Sequence, residues 1–176
     1  MKKPTLIVMT LFSICMLGQD SLPDNYPKNE IKLNAIYTLF GLPEMTYERA
    51  LNQFSSVGAS VFYGAARNTN VGIGLFPFYR WYFGHKKPVC GFFLEGNAGI
   101  YTQDVTRFIS GPTFYYMTTK KEIQGGLGLG LGGKFEVHKV WTAEILGGLG
   151  RNFLYTDDFN NNEIYPRFGL SIGRRF

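Results

Sequence analysis

Cysteine and histidine are scarce in this chain, with two of each among 176 residues. Cys15 lies in an N-terminal apolar run, so only Cys90 remains if that run is a cleaved leader. One cysteine cannot form an internal disulfide. An exported fold held together by disulfides is therefore excluded, and its stability has to come from elsewhere.

Charged residues are also few. They make up 18% of the chain, whereas an ordinary soluble domain carries about 25%. Glycine (22), phenylalanine (16) and tyrosine (11) are abundant instead. This composition favours many short strands joined by tight turns over a helical bundle. The net charge of +5 includes Lys2 and Lys3 and forms no Lys/Arg stripe, so nucleic acid is not a predicted partner.

Residues 1–18 have the organisation of a signal peptide. Lys2 and Lys3 form the positive start, and residues 6–17 (LIVMTLFSICML) form an apolar core. That core is shorter than the roughly 20 residues that a transmembrane helix needs. The segment is therefore predicted to direct export and not to remain as a membrane anchor.

The residues around the end of this segment set the expected domain limits. Gly18 is small enough to precede a cleavage site. Cys15 suggests a lipoprotein, but Ile14 stands before it where a small residue is wanted. We therefore predict a signal peptide at 1–18, a short linker at 19–28 and one domain at 29–176.

Beyond the linker, apolar residues recur at every second position and not with a helical period. The clearest case is residues 126–132 (GLGLGLG), in which the leucines share one face and the glycines the other. A strand of about 9–11 residues, tilted by about 45°, crosses the apolar part of a membrane. The alternating segments have that length or slightly more. They are 29–40, 43–51, 54–64, 71–83, 91–102, 122–137, 140–151 and 163–176.

The same alternation sorts the charged side chains. If the apolar face is turned outward, ten strand charges, five of each sign, point into the barrel. An Arg or Lys facing lipid at mid-membrane costs about 2–4 kcal/mol, which falls to about 0–1 kcal/mol near a strand end. The outward Arg49 and Arg174 lie near such ends. The predicted interior ion-pair residues are Lys32, Arg80, Lys134, Arg167 and Arg175 with Glu44, Glu48, Glu95, Glu136 and Glu144.

An interior of this kind predicts a closed barrel. Eight strands enclose a space just wide enough for side chains to fill. The inward Phe62, Phe93 and Tyr101 add bulk to the ion pairs. We therefore expect no open pore and expect the ion pairs to hold the barrel shut. A path for protons or ions through them is the open alternative.

An even strand number places both ends of the domain on the periplasmic side, with short turns there and longer loops outside. The breaks in the alternation agree with this arrangement. The expected turns are near 52–53, 84–90 and 138–139, and the expected outer loops are near 41–42, 65–70, 102–121 and 155–162.

The last segment alternates through Phe168, Leu170 and Ile172 and ends at Phe176. In this pattern, residues 29–176 resemble the small eight-stranded outer-membrane barrels of the OmpA/OmpX type. The resemblance implies that Phe176 is the assembly signal, read by the barrel-assembly machinery. It also implies that membrane lipid is a partner, in the outer membrane of a Gram-negative bacterium.

Two motifs suggest other chemistry and are set aside. Residues 128–134 (GLGLGGK) match a phosphate-binding loop, but the alternation runs through them and Phe135 stands where a Ser or Thr would bind magnesium. His85, Cys90 and His138 fall in predicted periplasmic turns without a zinc-ligand spacing. Neither a cofactor nor a metal is predicted.

Some barrels of this size modify lipids and need a nucleophile or base near the outer leaflet, often a histidine. Both histidines are predicted at the opposite end. Asp157 and Asp158 form a carboxylate pair in an outer loop, where simple solvation explains them. The segment 102–121 is rich in apolar residues and either binds a surface ligand or extends the fifth and sixth strands as a hairpin. Its binding candidates are Phe108, Phe114, Tyr115 and Tyr116.

The sequence therefore predicts an all-β protein, an antiparallel up-and-down transmembrane β-barrel of about eight strands. It is expected to be non-enzymatic, with a structural or surface-interaction role and no cofactor. Two alternatives stay open: a lipid-modifying enzyme of the outer membrane, and a soluble exported barrel that binds a ligand in its cavity.

Overall fold

The computed structural model describes residues 26–65, 70–84, 87–110, 115–138, 140–154 and 163–176, with the backbone alone for 105–110 and 115–117. Within these ranges, every strand pairs antiparallel with the next and β8 pairs with β1, which closes an up-and-down barrel. The predicted fold class and strand number are confirmed. The strands are β1 (Asn29–Asn34), β2 (Glu44–Ala50), β3 (Ser55–Tyr63), β4 (Val71–Tyr82), β5 (Gly91–Ser110), β6 (Tyr115–His138), β7 (Trp141–Leu154) and β8 (Ile164–Arg175).

Side-chain burial alternates along the strands, in phase with the alternation of apolar and polar residues in the sequence. β2 and β8 show a strict alternation of buried and exposed residues. The outward Leu129 and Leu131 are each 65% exposed, whereas the inward Glu95 and Lys134 are fully buried. A water-soluble fold has the opposite arrangement, with apolar side chains inside and charges outside.

The two ends of the barrel differ. At one end, Asn29 and Phe176 exchange backbone hydrogen bonds of 3.2 and 2.9 Å. We call this the terminal end and the opposite one the loop end. Each end of the interior contains an apolar cluster. The terminal cluster consists of Ala50, Tyr82, Val89, Phe93 and Leu146, and the loop cluster of Phe62, Phe76, Tyr101 and Tyr165.

A short helix, α1 (Ala35–Leu39), replaces the outer part of the predicted first strand. Asn34 caps it, because its Oδ1 accepts a hydrogen bond of 3.3 Å from the Tyr37 N–H. Gly41 then takes a positive φ of 76°, which turns the chain back and which an L side chain rarely adopts. The prediction of strand beyond Asn34 is therefore wrong, because local capping outweighs the alternating pattern. Among the described residues, no helix is both long and apolar enough to cross a membrane.

β5 and β6 continue well beyond their neighbours. β4 pairs with β5 as far as Gln103, and β6 pairs with β7 from Gly125. Beyond these points, residues 104–110 pair with 115–121 as a two-stranded ribbon. The described residues of segment 102–121 therefore form the extended hairpin, and a binding role for the segment stays a prediction.

Candidate functional site, the charged interior of the barrel

Among the described residues, ten charged side chains are buried inside the barrel, five acidic and five basic. They form one connected set of ion pairs that runs from the terminal end to the loop end. We call it the interior charge set. Its members are Glu30, Lys32, Glu44, Glu48, Arg80, Glu95, Lys134, Glu144, Arg167 and Arg175.

Glu48 lies at the centre of the interior charge set. Its two carboxylate oxygens accept hydrogen bonds from three cations and two hydroxyl groups. These donors compensate for the water that the carboxylate loses on burial. They are Lys32 Nζ at 2.5 Å, Arg80 Nη1 at 2.9 Å, Lys134 Nζ at 2.8 Å, Ser56 Oγ at 2.6 Å and Tyr82 Oη at 2.7 Å.

The Arg80 guanidinium contacts both carboxylates and aromatic rings. Its nitrogens lie 2.8 Å from Glu95 Oε2 and 2.8 Å from Glu144 Oε2. Its Cζ lies 4.4 Å from the ring centroids of both Phe78 and Phe93. Such a desolvated cation–π contact is worth about 2 kcal/mol. The geometry therefore holds Arg80 in one position in the middle of the barrel.

Arg167 carries the interior charge set towards the loop end. Its Nε lies 2.8 Å from Glu95 Oε1 and its Nη1 lies 3.2 Å from Glu44 Oε1. Its Nη2 donates to Ser60 Oγ at 3.0 Å. The second oxygen of Glu44 accepts from Asn34 Nδ2 at 2.7 Å. Both carboxylates that touch Arg167 are thus also held by other partners.

Glu30 carries the interior charge set towards the terminal end. Its Oε2 lies 3.0 Å from Lys134 Nζ and 3.4 Å from Arg175 Nε, and the Thr142 hydroxyl donates to its other oxygen. Arg175 also donates to the Val89 carbonyl at 2.7 Å. Signs alternate from contact to contact along the set, so no charge faces only charges of its own sign.

The structure brings nine of the ten predicted interior charges together. The tenth, Glu136, lies apart from them, where its carboxylate is 2.9 Å from Nζ of the exposed Lys87. Glu30 was missed by the sequence analysis. It lies two residues before Lys32 and so on the same face of β1. Extending the alternation by one step towards the N-terminus would have found it.

A cavity of about 310 Å³ lies next to the loop cluster. Apolar and aromatic side chains dominate its lining, and the one charged group is the already paired Arg167. Of the predictions made from the sequence, only the alternative of a soluble exported barrel included a ligand cavity. The lining residues are Tyr37, Leu42, Phe62, Val71, Phe76, Tyr101, Gln103, Ile164, Tyr165, Pro166, Arg167 and Phe168.

The other predicted functional residues are dispersed. Phe108, Tyr115 and Tyr116 lie on the ribbon of β5 and β6, and Phe114 lies outside the described residues. Phe176 is 59% exposed at the terminal end.

The motifs that were set aside gain no support from their positions. His138 is exposed on β6, and residues 128–134 are continuous strand without a following helix. His85, Asp157 and Asp158 lie outside the described residues. In the part of the chain that the structure describes, no group of His, Cys, Asp and Glu side chains is arranged to hold a metal ion.

Comparisons with known proteins concern the fold. A scan against models of protein families finds no match, and a search of curated proteins finds none either. Among solved structures, the N-terminal β-barrel domain of Pseudomonas aeruginosa OprF is similar. The TM-score is 0.52 and the identity 15%, over 86% of this chain and 98% of that chain. This likeness supports the resemblance to small eight-stranded barrels that the sequence pattern indicated.

Proposed function

We propose that this chain is an integral outer-membrane β-barrel whose lumen is closed by paired charges. Its role is then structural, or lies in surface interaction through the loop end, and is not catalytic. The membrane lipid and the barrel-assembly machinery are its expected partners, with Phe176 as the residue that the machinery reads.

The observation that carries this proposal is the inverted polarity of the wall. Large apolar side chains such as Ile145, Leu149 and Leu170 are 47–63% exposed on the outside, while ten charges are buried inside. Exposed apolar patches of soluble monomers rarely exceed a few hundred Å². A band of such residues around a whole barrel is stable in hydrocarbon and not in water. This supports a membrane location.

A closed lumen is supported by what fills the interior. Both ends contain clusters of aromatic side chains, and the interior charge set connects them. Moving Glu48 or Arg80 aside would leave a buried charge without its partner, which costs about 3–5 kcal/mol. Because moving these side chains costs that much, a filled interior is favoured over a stable water-filled channel.

A role at the surface is supported by the ribbon of β5 and β6. Seven residues on each strand extend beyond the paired wall, which at about 3.3 Å per residue is roughly 20 Å of projection. The ribbon includes Phe108, Tyr115 and Tyr116, the predicted binding candidates that the structure describes. Deleting residues 108–117 and measuring adhesion tests this role, and unchanged adhesion would contradict it.

The experiment that tests the main proposal compares the purified mature chain in buffer, in detergent micelles and in phosphatidylcholine vesicles. We expect folding only with an amphiphile, seen as a band whose gel migration changes on heating. A monomer that folds in plain buffer would contradict the proposal and favour a soluble exported barrel.

Two further measurements separate the remaining possibilities. In a planar bilayer we expect no stable large currents, and such currents would contradict the closed lumen. In cells with and without the protein, we expect identical lipid-A mass spectra. A change in the spectrum would contradict the non-enzymatic role and favour a lipid-modifying enzyme.

A further inference from the structure

The wall of the barrel is incomplete between β1 and β8 at the loop end. The β1–β8 ladder runs from Glu30 opposite Arg175 to Asn34 opposite Ser171 and ends there. β8 continues to Ile164, so the outer part of its edge faces α1 in place of a strand. The result is a notch in the wall, bounded by β8 and α1.

Side chains donate hydrogen bonds to two carbonyls of the β8 edge at the notch. Asn34 Nδ2 donates to the Phe168 carbonyl at 3.3 Å, and the Tyr37 hydroxyl donates to the Pro166 carbonyl at 3.5 Å. Pro166 has no N–H that would need a partner on this edge. Two carbonyls of this edge are therefore paired without another strand.

The cavity beside the loop cluster lies against this notch, because Tyr37 of α1 and Pro166 and Phe168 of β8 belong to its lining. Its lining combines inward and outward side chains of the wall. Phe76 and Tyr165 are each 5% exposed inside the barrel, whereas Ile164 and Phe168 are 61% and 41% exposed outside it. A cavity confined to the lumen would have no outward residues in its lining. The lining of this cavity therefore reaches from the interior to the outer apolar face.

The notch lies at the depth of the apolar band. β1 and β2 have 6 and 7 residues, fewer than the about 9–11 that cross the apolar part of a membrane. The wall therefore ends early here, while β8 still carries outward Phe168. Leu39 and Phe40 beside the notch are 86% and 68% exposed, an arrangement that lipid stabilises and water does not. This step rests on the membrane location proposed above.

The lining selects for an uncharged ligand. Arg167 already contacts Glu95 and Glu44, so an incoming carboxylate or phosphate would meet two carboxylates together with the guanidinium. The aromatic rings of Phe62 and Tyr101 provide apolar contact instead. Ligand pockets begin at about 300 Å³, so a cavity of this size holds part of a hydrocarbon chain and not a whole lipid.

We propose that the cavity binds the end of an acyl chain of a bilayer lipid. The acyl chain enters sideways between β8 and α1, past Tyr37, whose ring packs edge-on against Phe168 with 5.1 Å between centroids. The lipid headgroup stays at the membrane surface. The barrel is then an acyl-chain-binding protein on its loop side, in addition to being a membrane barrel.

The test measures whether lipid chains reach the cavity. Trp81 and Trp141 are first replaced by Phe, and single tryptophans are then introduced. Phe76→Trp reports from the cavity, Phe93→Trp from the terminal cluster, and Leu129→Trp from the outer face. Each variant is refolded in phosphatidylcholine vesicles with brominated acyl chains, the bromines near the glycerol or near the chain end. Heat-dependent gel migration confirms that each variant folds.

We expect brominated lipid to quench the Phe76→Trp variant to at least about half the extent seen for Leu129→Trp, and to leave Phe93→Trp nearly unquenched. Since both Phe positions face inward, the comparison controls for quenching through the wall. Val71→Trp, at a half-buried cavity position on the end of β4, is the second reporter if Phe76→Trp fails to fold.

The other outcomes overturn the proposal in distinct ways. The cavity reporters could be as little quenched as Phe93→Trp while Leu129→Trp is quenched. That result would leave the membrane barrel intact but remove the acyl-chain site. Quenching by a brominated fatty acid added from water, but not by brominated lipid, would assign the cavity to a ligand that enters at the mouth. If neither brominated lipid nor the water-soluble quencher acrylamide quenches the cavity reporters, the protein's own residues fill the cavity. An unquenched Leu129→Trp would overturn the membrane location itself.

Discussion

Replacing Glu48 by glutamine is expected to lower the free energy of unfolding by about 3–5 kcal/mol, the range for removing one partner of a buried ion pair. Glu48 accepts hydrogen bonds from Lys32, Arg80 and Lys134 at 2.5–2.9 Å. Glutamine keeps the shape but removes the charge, so five buried cations then face four carboxylates. Its amide nitrogen is also a donor among groups that need acceptors. Both effects act in the same direction.

Glu136→Gln is the matched control, because it makes the same chemical change on the same barrel. The side chains of Glu136 and its partner Lys87 are 24% and 55% exposed. Such exposed pairs contribute about 0–1 kcal/mol. Both variants are unfolded with urea after refolding in phosphatidylcholine vesicles, with the fluorescence of Trp81 and Trp141 as the signal. Gel migration without heating gives an independent measure of the folded fraction.

Similar unfolding free energies for the two variants, both within about 1 kcal/mol of the unaltered chain, would refute the reasoning. A double variant, Glu48→Gln with Lys32→Met, sharpens the test. It removes one charge of each sign, so four cations face four carboxylates again. We expect it to recover part of the stability that Glu48→Gln loses. If the double variant instead loses the sum of the stabilities that Glu48→Gln and Lys32→Met lose singly, the charges are not coupled.

Three other perturbations test the packing, the membrane face and the assembly signal. At Gly132 an added Cβ would lie 2.3 Å from an aromatic ring and 2.5 Å from a backbone oxygen, whereas at Gly147 it meets nothing within 4 Å. Gly132→Ala should therefore cost about 1–3 kcal/mol in the same urea assay and Gly147→Ala less than about 0.5 kcal/mol; equal losses would contradict the packing. On the outer face, Leu129→Arg should cost about 2–4 kcal/mol in vesicles and Val137→Arg, near the terminal end, about 0–1 kcal/mol. Costs that do not depend on position would argue against a membrane around the barrel. Phe176→Ala should lower the heat-modifiable fraction in cell envelopes while refolding in detergent stays unchanged, and normal assembly in cells would contradict its role as a signal.

Strand type and side-chain direction were predictable because both are local properties. Side chains on a strand point alternately to its two faces, so the parity of a position decides between the lumen and the outside. Arg80, Lys134 and Glu144 were placed inside on that basis, and all three are buried. Closure of the barrel is compatible with an even number of such segments, since the last strand then runs antiparallel to the first and can pair with it.

The sequence predictions differed from the structure where two local rules competed, or where the outcome depended on which strands pair. Ala35, Tyr37 and Leu39 continue the alternation of β1, yet Asn34 caps a helix over the same residues. Residues 104–110 and 115–121 form strand because each of the two runs pairs with the other. Neither result follows from the period of the apolar residues alone.

The sequence by itself determined that charges of both signs face the interior, although it counted Glu136 among them in place of Glu30. Only the tertiary structure decided which carboxylate each cation meets. Lys32 pairs with Glu144 across 112 residues of chain, because the relative stagger of the strands puts the two at one level of the barrel. The notch and its cavity likewise exist only once β1 leaves the wall while β8 continues. Stagger and early strand ends depend on all the strands together, and no local pattern contains them.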